Sequence, residues 1–183
     1  MNVAKNNVPL LDKKTYFCTQ KLIVMAGKYT YEYPRPMLTA DCMVTNSHGE
    51  VLLVRRGNDP FKGCWALPGG FMEMDETLEH CAVRELEEET HLKVSEKDIR
   101  LIGIYSAPGR DPRGRTVTAA YFVRVGNETA MAGDDASEVR WWPLNALPTL
   151  AFDHAQIVSD GVSYIPVNLP TKSITSDEAS QMR

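Results

Sequence analysis

The chain has 183 residues, of which 43% are hydrophobic and 24% charged, and its formal net charge is −4. This length and composition suit one packed domain with extensions, and they argue against wholesale disorder. The negative charge disfavours duplex nucleic acid as a main partner. No run approaches the ~18 consecutive apolar residues that a membrane span needs.

The cysteines and the start of the chain predict a location. The four cysteines have no Cys-x-x-Cys spacing and no histidine at zinc-finger spacing; they are Cys18, Cys42, Cys64 and Cys81. This pattern favours free thiols. The first residues lack the basic and then apolar segments of a signal peptide. We therefore expect a cytoplasmic protein that does not enter a membrane.

The first third of the chain predicts an extension followed by strands. Residues 1–14 are polar, whereas apolar and β-branched residues recur from Thr15 to Tyr33 and indicate two short strands or a hairpin. Two further strands are predicted on either side of a turn at 46–49, and they are Thr39–Thr45 and Val51–Val54.

A helix predicted at about Thr77–Thr90 carries an unusual charge pattern. Four of the five residues 85–89 are glutamates, and Glu85, Glu88 and Glu89 share one helix face. Like charges at this spacing cost a few tenths of a kcal/mol per pair, and the C-terminal end of the helix dipole disfavours anions. Stability alone does not explain this pattern. A divalent cation with oxygen ligands, Mg²⁺ or Mn²⁺, would resolve it.

The same segment predicts how this helix begins, packs and ends. Asp75 is expected as the N-cap, with Glu76 near the positive end of the dipole. The buried side is expected to consist of Leu78, Ala82 and Leu86. His91 is expected at the C-terminal cap, where a left-handed conformation costs roughly 1–2 kcal/mol more for histidine than for glycine.

More strands and a second helix are predicted after this helix. They are the strands Ile99–Tyr105, Thr116–Val125 and Val139–Pro143, and a helix from Phe152 to about Asp160. Strands on both sides of one amphipathic helix predict an α+β sandwich. The residues after Pro166 are rich in serine, threonine and acids, and we expect them to be mobile.

The register around the glutamates resembles the signature of the Nudix hydrolases: Gly, five residues, Glu, seven residues, then Arg-Glu-aliphatic-any-Glu-Glu-any-Gly-aliphatic. The matching residues are Gly70, Glu76, Arg84, Glu85, Leu86, Glu88, Glu89 and Leu92. The final glycine of the signature is His91 here, which concerns the geometry of the helix end more than the metal site. The resemblance implies an α/β/α Nudix sandwich with a mixed β-sheet.

The resemblance also implies a metal centre. Mg²⁺, with Mn²⁺ as a substitute, would be held by Glu85, Glu88 and Glu89 and by the carbonyl oxygen of Gly70. Such a cation neutralises phosphate charge, lowers the pKa of a water molecule and aligns it for attack. In this family signature the structural residues would be Arg84, which holds neighbouring carboxylates in place, and Glu76.

A further acid is expected to orient or deprotonate the attacking water. In one branch of the family, which this chain resembles, acids in loops have this role. We expect Glu138 to have it here. Asp134 and Asp135 are the competing candidates, and an acidic turn without a catalytic role is the alternative for each of them.

Three segments, 105–114, 132–139 and 147–154, resemble the ADP-ribose pyrophosphatase branch of the family. The branch converts ADP-ribose and water to AMP and ribose 5-phosphate, so we expect hydrolysis of ADP-ribose or a related ADP-sugar. The alternatives are another nucleoside diphosphate derivative, such as a dinucleotide or a nucleoside triphosphate, and a sensor of ADP-ribose without catalysis. A sensor is expected to need a winged helix, and only about 30 residues follow Asp153.

Several residues are candidates for contact with the substrate. We expect a phosphate contact from Arg56; it alternates with Arg55, and one of these two neighbours would point outward. We expect phosphate or ribose contacts from Arg110 and Arg113, for which solvated loop arginines are the alternative. Trp141 and Trp142 are neighbours on a strand, so only one of them can face the site and stack on adenine. His154, near the start of the second helix, is expected to be structural.

The predicted organisation has three parts. Residues 1–36 form an extension with short strands, residues 37–162 form the Nudix hydrolase domain, and residues 163–183 form a flexible tail. The apolar segment Tyr16–Tyr31 lies outside the minimal fold and needs a surface to cover it, so we expect a homodimer. The expected partner is a small-molecule nucleotide, with neither nucleic acid nor membrane.

Overall fold

The computed structural model describes residues 33–126, 130–133 and 136–165. The chain divides into two compact units, residues 1–35 and 36–183. The predicted strands of the extension and the predicted mobile tail lie outside the described residues. The three-part organisation therefore stays a prediction.

The second unit contains seven strands and two helices. The strands are β1 (Met37–Thr45), β2 (Glu50–Arg56), β3 (Trp65–Ala66), β4 (Gly69–Phe71), β5 (Arg100–Tyr105), β6 (Thr116–Arg124) and β7 (Ala136–Pro143). The helices are α1 (Leu78–Thr90) and α2 (His154–Gly161), and a 3₁₀ turn follows at Val162–Tyr164. Within the described ranges, no helix is long and apolar enough to cross a membrane.

The strands form one mixed sheet around β1. Its order is β3-β2-β1-β6-β5, with β4 paired to β1 and β7 paired to β2. β1 runs parallel to β6 and antiparallel to β2 and β4. β1 is buried from Thr39 to Thr45, as expected for a strand that is covered on both faces.

Side chains of β1 alternate between two cores. Cys42 and Val44 belong to a core with Ala82 and Leu86 of α1, which we call the α1-side core. Met43 points the other way and packs with Ile157 of α2 in the α2-side core. A sheet between two helices is the predicted α/β/α sandwich, which is thereby confirmed.

Helix α1 begins two residues later than the predicted N-cap allows. The prediction of Asp75 as N-cap was wrong: Thr77 is the N-cap, and its hydroxyl oxygen accepts a hydrogen bond from the His80 amide at 3.1 Å. The prediction for His91 is confirmed, since it lies in the left-handed region at φ 59° and its amide donates to the Glu87 carbonyl.

Candidate active site

The side chain of Arg84 gathers three carboxylates beside α1. Its Nη2 lies 2.7 Å from Glu76 Oε1, and its Nη1 lies 2.8 Å from Glu85 Oε1 and 3.2 Å from Glu88 Oε2. Arg84 also donates to the carbonyl of Phe71 in β4. One guanidinium group therefore forms ion pairs with three carboxylates, and its single positive charge does not neutralise all of them.

The pKa values of these carboxyl groups shift in opposite directions, because the hydrogen bond from Arg84 dominates at one of them and burial dominates at the other two. The hydrogen bond from Arg84 lowers the pKa of Glu76 to about 2. The Glu85 side chain is 14% exposed, and burial raises its pKa to about 7 despite the opposing charge of Arg84. Burial also raises the pKa of Glu88. Glu76 is thus a firm partner of Arg84, whereas Glu85 and Glu88 lie where an additional cation would favour their charged forms.

Strand β4 brings backbone groups against these acids. The Gly69 amide donates to Glu89 Oε2 at 3.0 Å. A Cβ atom at Gly70 would overlap the Glu85 carboxylate, so this approach requires glycine. The predicted ligand residues Gly70, Glu85, Glu88 and Glu89 therefore lie together between β4 and α1, and we call these four residues the carboxylate end.

The donors of the carboxylate end fit a hard divalent cation. They are carboxylate and carbonyl oxygens in a partly buried place with excess negative charge, which suits Mg²⁺ or Mn²⁺. Within the part of the chain that the structure describes, no three acidic, histidine or cysteine side chains already form a metal cluster. A carboxylate has two oxygens that can accept, so the contacts with Arg84 and Gly69 are compatible with ligation.

Arginine and phenylalanine side chains form a second group, the arginine–phenylalanine cluster, which consists of Arg56, Phe61, Phe71, Arg113 and Phe152. The Cζ atom of Arg113 lies 4.9 Å from the ring centroid of Phe71 and 5.5 Å from that of Phe152. The Cζ atom of Arg56 lies 4.9 Å from the Phe152 centroid. Phe71 follows Gly70 directly, so the cluster adjoins the carboxylate end.

The positive charges of Arg56 and Arg113 in this cluster repel each other. Burial, and next the charge of Arg113, lower the pKa of Arg56, while Glu89 and other acids act in the opposite sense. Arg113 is held by Asp111, with Nη2 2.7 Å from Oδ2, and Arg56 donates its Nε–H to the Pro60 carbonyl at 2.8 Å. Arginine stays charged at neutral pH, so this is a place that suits an anion.

Arg110, the third predicted substrate residue, has a different setting. Its Nε and Nη2 donate to the two carboxylate oxygens of Asp153, and its side chain is only 5% exposed. This forked pair ties the loop before β6 to the start of α2. Arg110 thus has a structural role in this geometry, which does not support the predicted contact of Arg110 with substrate.

Glu138 lies in a strand and not in a loop. β7 begins at Ala136 because it pairs with β2, where Glu138 is opposite Arg55. The Glu138 carboxylate lies 3.5 Å from Arg55 Nη1 and 3.0 Å from Arg140 Nη2. Its neighbour Val139 packs on the α1-side core, so alternation directs Glu138 to the opposite face. The structure does not bring Glu138 to the carboxylate end, and Asp134 and Asp135 lie outside the described residues.

The two tryptophans predicted as candidates for stacking are both used in packing. Trp141 packs against the α1-side core and Trp142 against the α2-side core. Trp142 also meets the ring of Trp65 edge-on, with 5.2 Å between centroids. The alternation was predicted correctly, but neither indole belongs to the arginine–phenylalanine cluster.

A buried polar network beneath β4 was not predicted. Asp41 Oδ2 accepts from the Thr118 hydroxyl at 2.6 Å, and Asp41 Oδ1 lies 3.7 Å from Nε2 of His154. The Leu67 amide donates to Nδ1 of His154 at 2.9 Å, so the ring proton lies on Nε2. Burial lowers the pKa of His154, which therefore stays neutral. The sequence feature that could have indicated this network was Asp41, a charged residue within an otherwise apolar predicted strand.

Phe61 and Phe152 were also missed as site residues. Aromatic residues in loops carry no spacing signal, and their approach depends on the paths of two separate segments. Their rings lie 4.8 Å apart, edge to face.

Comparison with known proteins agrees with this geometry. Residues 35–161 match the family described as the NUDIX domain. The ADP-ribose pyrophosphatase of Methanocaldococcus jannaschii is 45% identical over 128 residues, which cover 70% of this chain and 74% of that protein. The ADPR responsive transcriptional repressor NtrR of Acinetobacter baylyi is 35% identical over 135 residues, which cover 69% of this chain and 53% of that protein.

A solved structure shares the fold. A bifunctional NMN adenylyltransferase/ADP ribose pyrophosphatase from Francisella tularensis, complexed with AMP and a manganese ion, superposes with a TM-score of 0.64 at 26% identity; the match covers 82% of this chain and 46% of that one. The family match spans more than half of the chain. The chain belongs to the NUDIX domain family, and the predicted family is confirmed.

Proposed function

We propose that this protein is a Mg²⁺-dependent pyrophosphohydrolase that converts ADP-ribose, or a closely related ADP-sugar, to AMP and a sugar phosphate. The observation that carries the proposal is the partly buried carboxylate end, which directly adjoins two arginines. The 45% identity to an ADP-ribose pyrophosphatase supports the substrate. The manganese ion and AMP in the Francisella tularensis structure support a divalent metal and a nucleotide product.

In this proposal the acidic residues bind the cation and the arginines bind the phosphates. Glu85, Glu88 and Glu89 with the Gly70 carbonyl would hold the cation, which supplies charge neutralisation of the pyrophosphate and a more acidic water molecule. Arg84 and Glu76 fix the carboxylates through their short ion pair. Arg56 and Arg113 would bind the phosphates on the other side, because forked guanidinium groups match phosphate oxygens.

One alternative function has support from the comparisons. A relative that is 35% identical is named as a repressor that responds to ADPR, so binding of ADP-ribose without turnover is the competing proposal. The three acids around Arg84, of which Glu76 and Glu85 are largely buried, favour catalysis, because binding of a nucleotide alone does not require them.

The first experiment is an assay of product formation with Mg²⁺, using chromatography of products from a panel of nucleotides. The panel contains ADP-ribose, ADP-glucose, NAD, FAD, diadenosine polyphosphates and nucleoside triphosphates. We expect AMP and ribose 5-phosphate from ADP-ribose as the preferred reaction. Preferred hydrolysis of another compound would replace the substrate and keep the metal mechanism. Binding of ADP-ribose without any products would support the sensor.

Three further proposals accompany the function. We propose a cytoplasmic homodimer that does not bind nucleic acid. The described cysteines Cys42, Cys64 and Cys81 are free thiols, which agrees with a reducing compartment.

Light scattering after size-exclusion chromatography measures the mass of the protein in solution, and a mass of one chain would contradict the dimer. A gel-shift assay with duplex DNA tests the last point, which matters because a relative is named as a transcriptional repressor.

A further inference from the structure

Phe61 and Phe152 hold an uncommon backbone conformation. Among the described residues, only three besides glycine have a positive φ, and two of them are Phe61 at 63° and Phe152 at 53°. Bulky side chains disfavour this left-handed region, and such residues cluster at sites that bind ligands. The third is His91, which ends a helix, whereas the two phenylalanines lie in loops and contact each other.

The strained pair leaves aromatic surface open beside the arginines. Phe61 is 40% exposed, although its ring meets Phe152 at an interplanar angle of 66°. Phe152 is half-buried and is bordered by Arg56 and Arg113. Phe152 therefore supports its neighbours, and Phe61 offers a free apolar surface.

The chemistry around this surface specifies an amphipathic ligand. An exposed aromatic ring stacks with another flat ring, and guanidinium groups close by bind an anion. A nucleotide combines both features at a short separation, since its base and its phosphates are linked through one ribose. The carboxylate end adjoins the arginines through Phe71, so the phosphates would extend from Arg56 toward Glu89.

We propose that Phe61 is the surface on which the nucleobase of the substrate stacks, while Arg56 and Arg113 bind the adjoining phosphates and Phe152 positions all three. The inference rests on the proposed function for the identity of the base, which is adenine. It reassigns the stacking role from Trp141 and Trp142, whose rings are used in the two cores.

The test measures binding without turnover. Isothermal titration calorimetry of AMP in the absence of metal is compared between the wild type, Phe61→Leu and Phe61→Tyr. Loss of stacking in Phe61→Leu is expected to weaken AMP binding about 10-fold, and Phe61→Tyr is expected to retain it. Inorganic pyrophosphate, which lacks a base, is expected to bind all three proteins within about twofold of each other. Equal AMP affinity in Phe61→Leu and wild type would overturn the proposal.

A second variant separates binding from folding. Phe61→Gly relieves the left-handed backbone, so its Tm is expected to equal or exceed that of the wild type while AMP binding falls at least as far as in Phe61→Leu. His91→Gly is the matched control: it relieves the same conformation outside the cluster and is expected to leave AMP affinity unchanged. If Phe61→Gly binds AMP as the wild type does, the stacking role is wrong.

A spectroscopic reporter tests the contact directly. Phe61→Trp is expected to show quenching of tryptophan fluorescence by AMP, beyond that of the wild type with its three native tryptophans, because an adenine ring stacked on the indole quenches it. The absence of additional quenching at saturating AMP would contradict the proposal. These measurements need no hydrolysis of ADP-ribose. A protein that binds AMP through Phe61 but leaves ADP-ribose intact would refute the proposed function alone.

Discussion

The carboxylate end and the arginine–phenylalanine cluster are neighbours, but the chain builds them in different ways. The carboxylate end comes from one helix and the short strand before it, within residues 70–89, and its acids are fixed by hydrogen bonds and ion pairs. The cluster draws its side chains from four separate parts of the chain, and ring contacts hold it together. The first is expected to govern the rate of the chemical step, and the second the affinity for the nucleotide.

The largest effect is expected from loss of one carboxylate charge. Glu88→Gln keeps the size of the side chain, and Glu88 is 40% exposed with Arg84 as its ion-pair partner, so stability should change little. If Glu88 is a metal ligand, as we propose, its loss should lower kcat roughly 100-fold or more. Steady-state kinetics with Mg²⁺ and a thermal melt measure both quantities. Turnover close to that of the wild type would remove Glu88 from the metal site.

The ion pair that supports the carboxylate end predicts a loss of stability in acid. Arg84 lowers the pKa of Glu76 to about 2 in the folded protein, below the ordinary value for glutamate of about 4.3. This contribution is fully present above the ordinary pKa and is lost as the pH falls toward 2. It amounts to about 2–3 kcal/mol in the free energy of unfolding.

Denaturant unfolding between pH 6 and pH 3 follows the first part of this loss, with Glu76→Gln as the comparison. The variant should be less stable at pH 6 and should show a flatter dependence on pH. Parallel pH profiles of the two proteins would show that the pair with Arg84 does not contribute as we expect.

A smaller effect is expected at the arginines. It distinguishes Arg113 from Arg110, which were both predicted from the sequence to contact the substrate. Arg113→Lys replaces a fork that borders two rings with a point charge, so KM for ADP-ribose should rise about 10-fold with little change in kcat. Arg110→Lys alters a buried pair with Asp153, so it should lower Tm and change KM less. The opposite pattern, with KM governed by Arg110, would restore the role predicted from sequence.

The difference between the two regions also explains what the sequence could predict. The carboxylates and Gly70 follow a fixed local spacing, and helix periodicity places Glu85, Glu88 and Glu89 on one face without knowledge of the rest of the fold. Phe61 and Phe152 meet only because β2, β3 and the start of α2 converge. The N-cap error had a local cause, since Asp75 and Thr77 are both good capping residues and the backbone at Thr77 decides between them.

The smallest effect is expected at Glu138, where local pattern and tertiary structure disagree. Its place in an acidic segment predicted a catalytic acid, but strand pairing puts it opposite Arg55 and beside Arg140. These are surface ion pairs, which contribute about 0–1 kcal/mol. Glu138→Gln should therefore keep kcat within about threefold of the wild type, a change far smaller than the 10²–10⁴-fold that general acid–base catalysis supplies. A loss of 100-fold or more, with an unchanged melt, would mean that β7 rearranges when substrate binds and that Glu138 joins the carboxylate end.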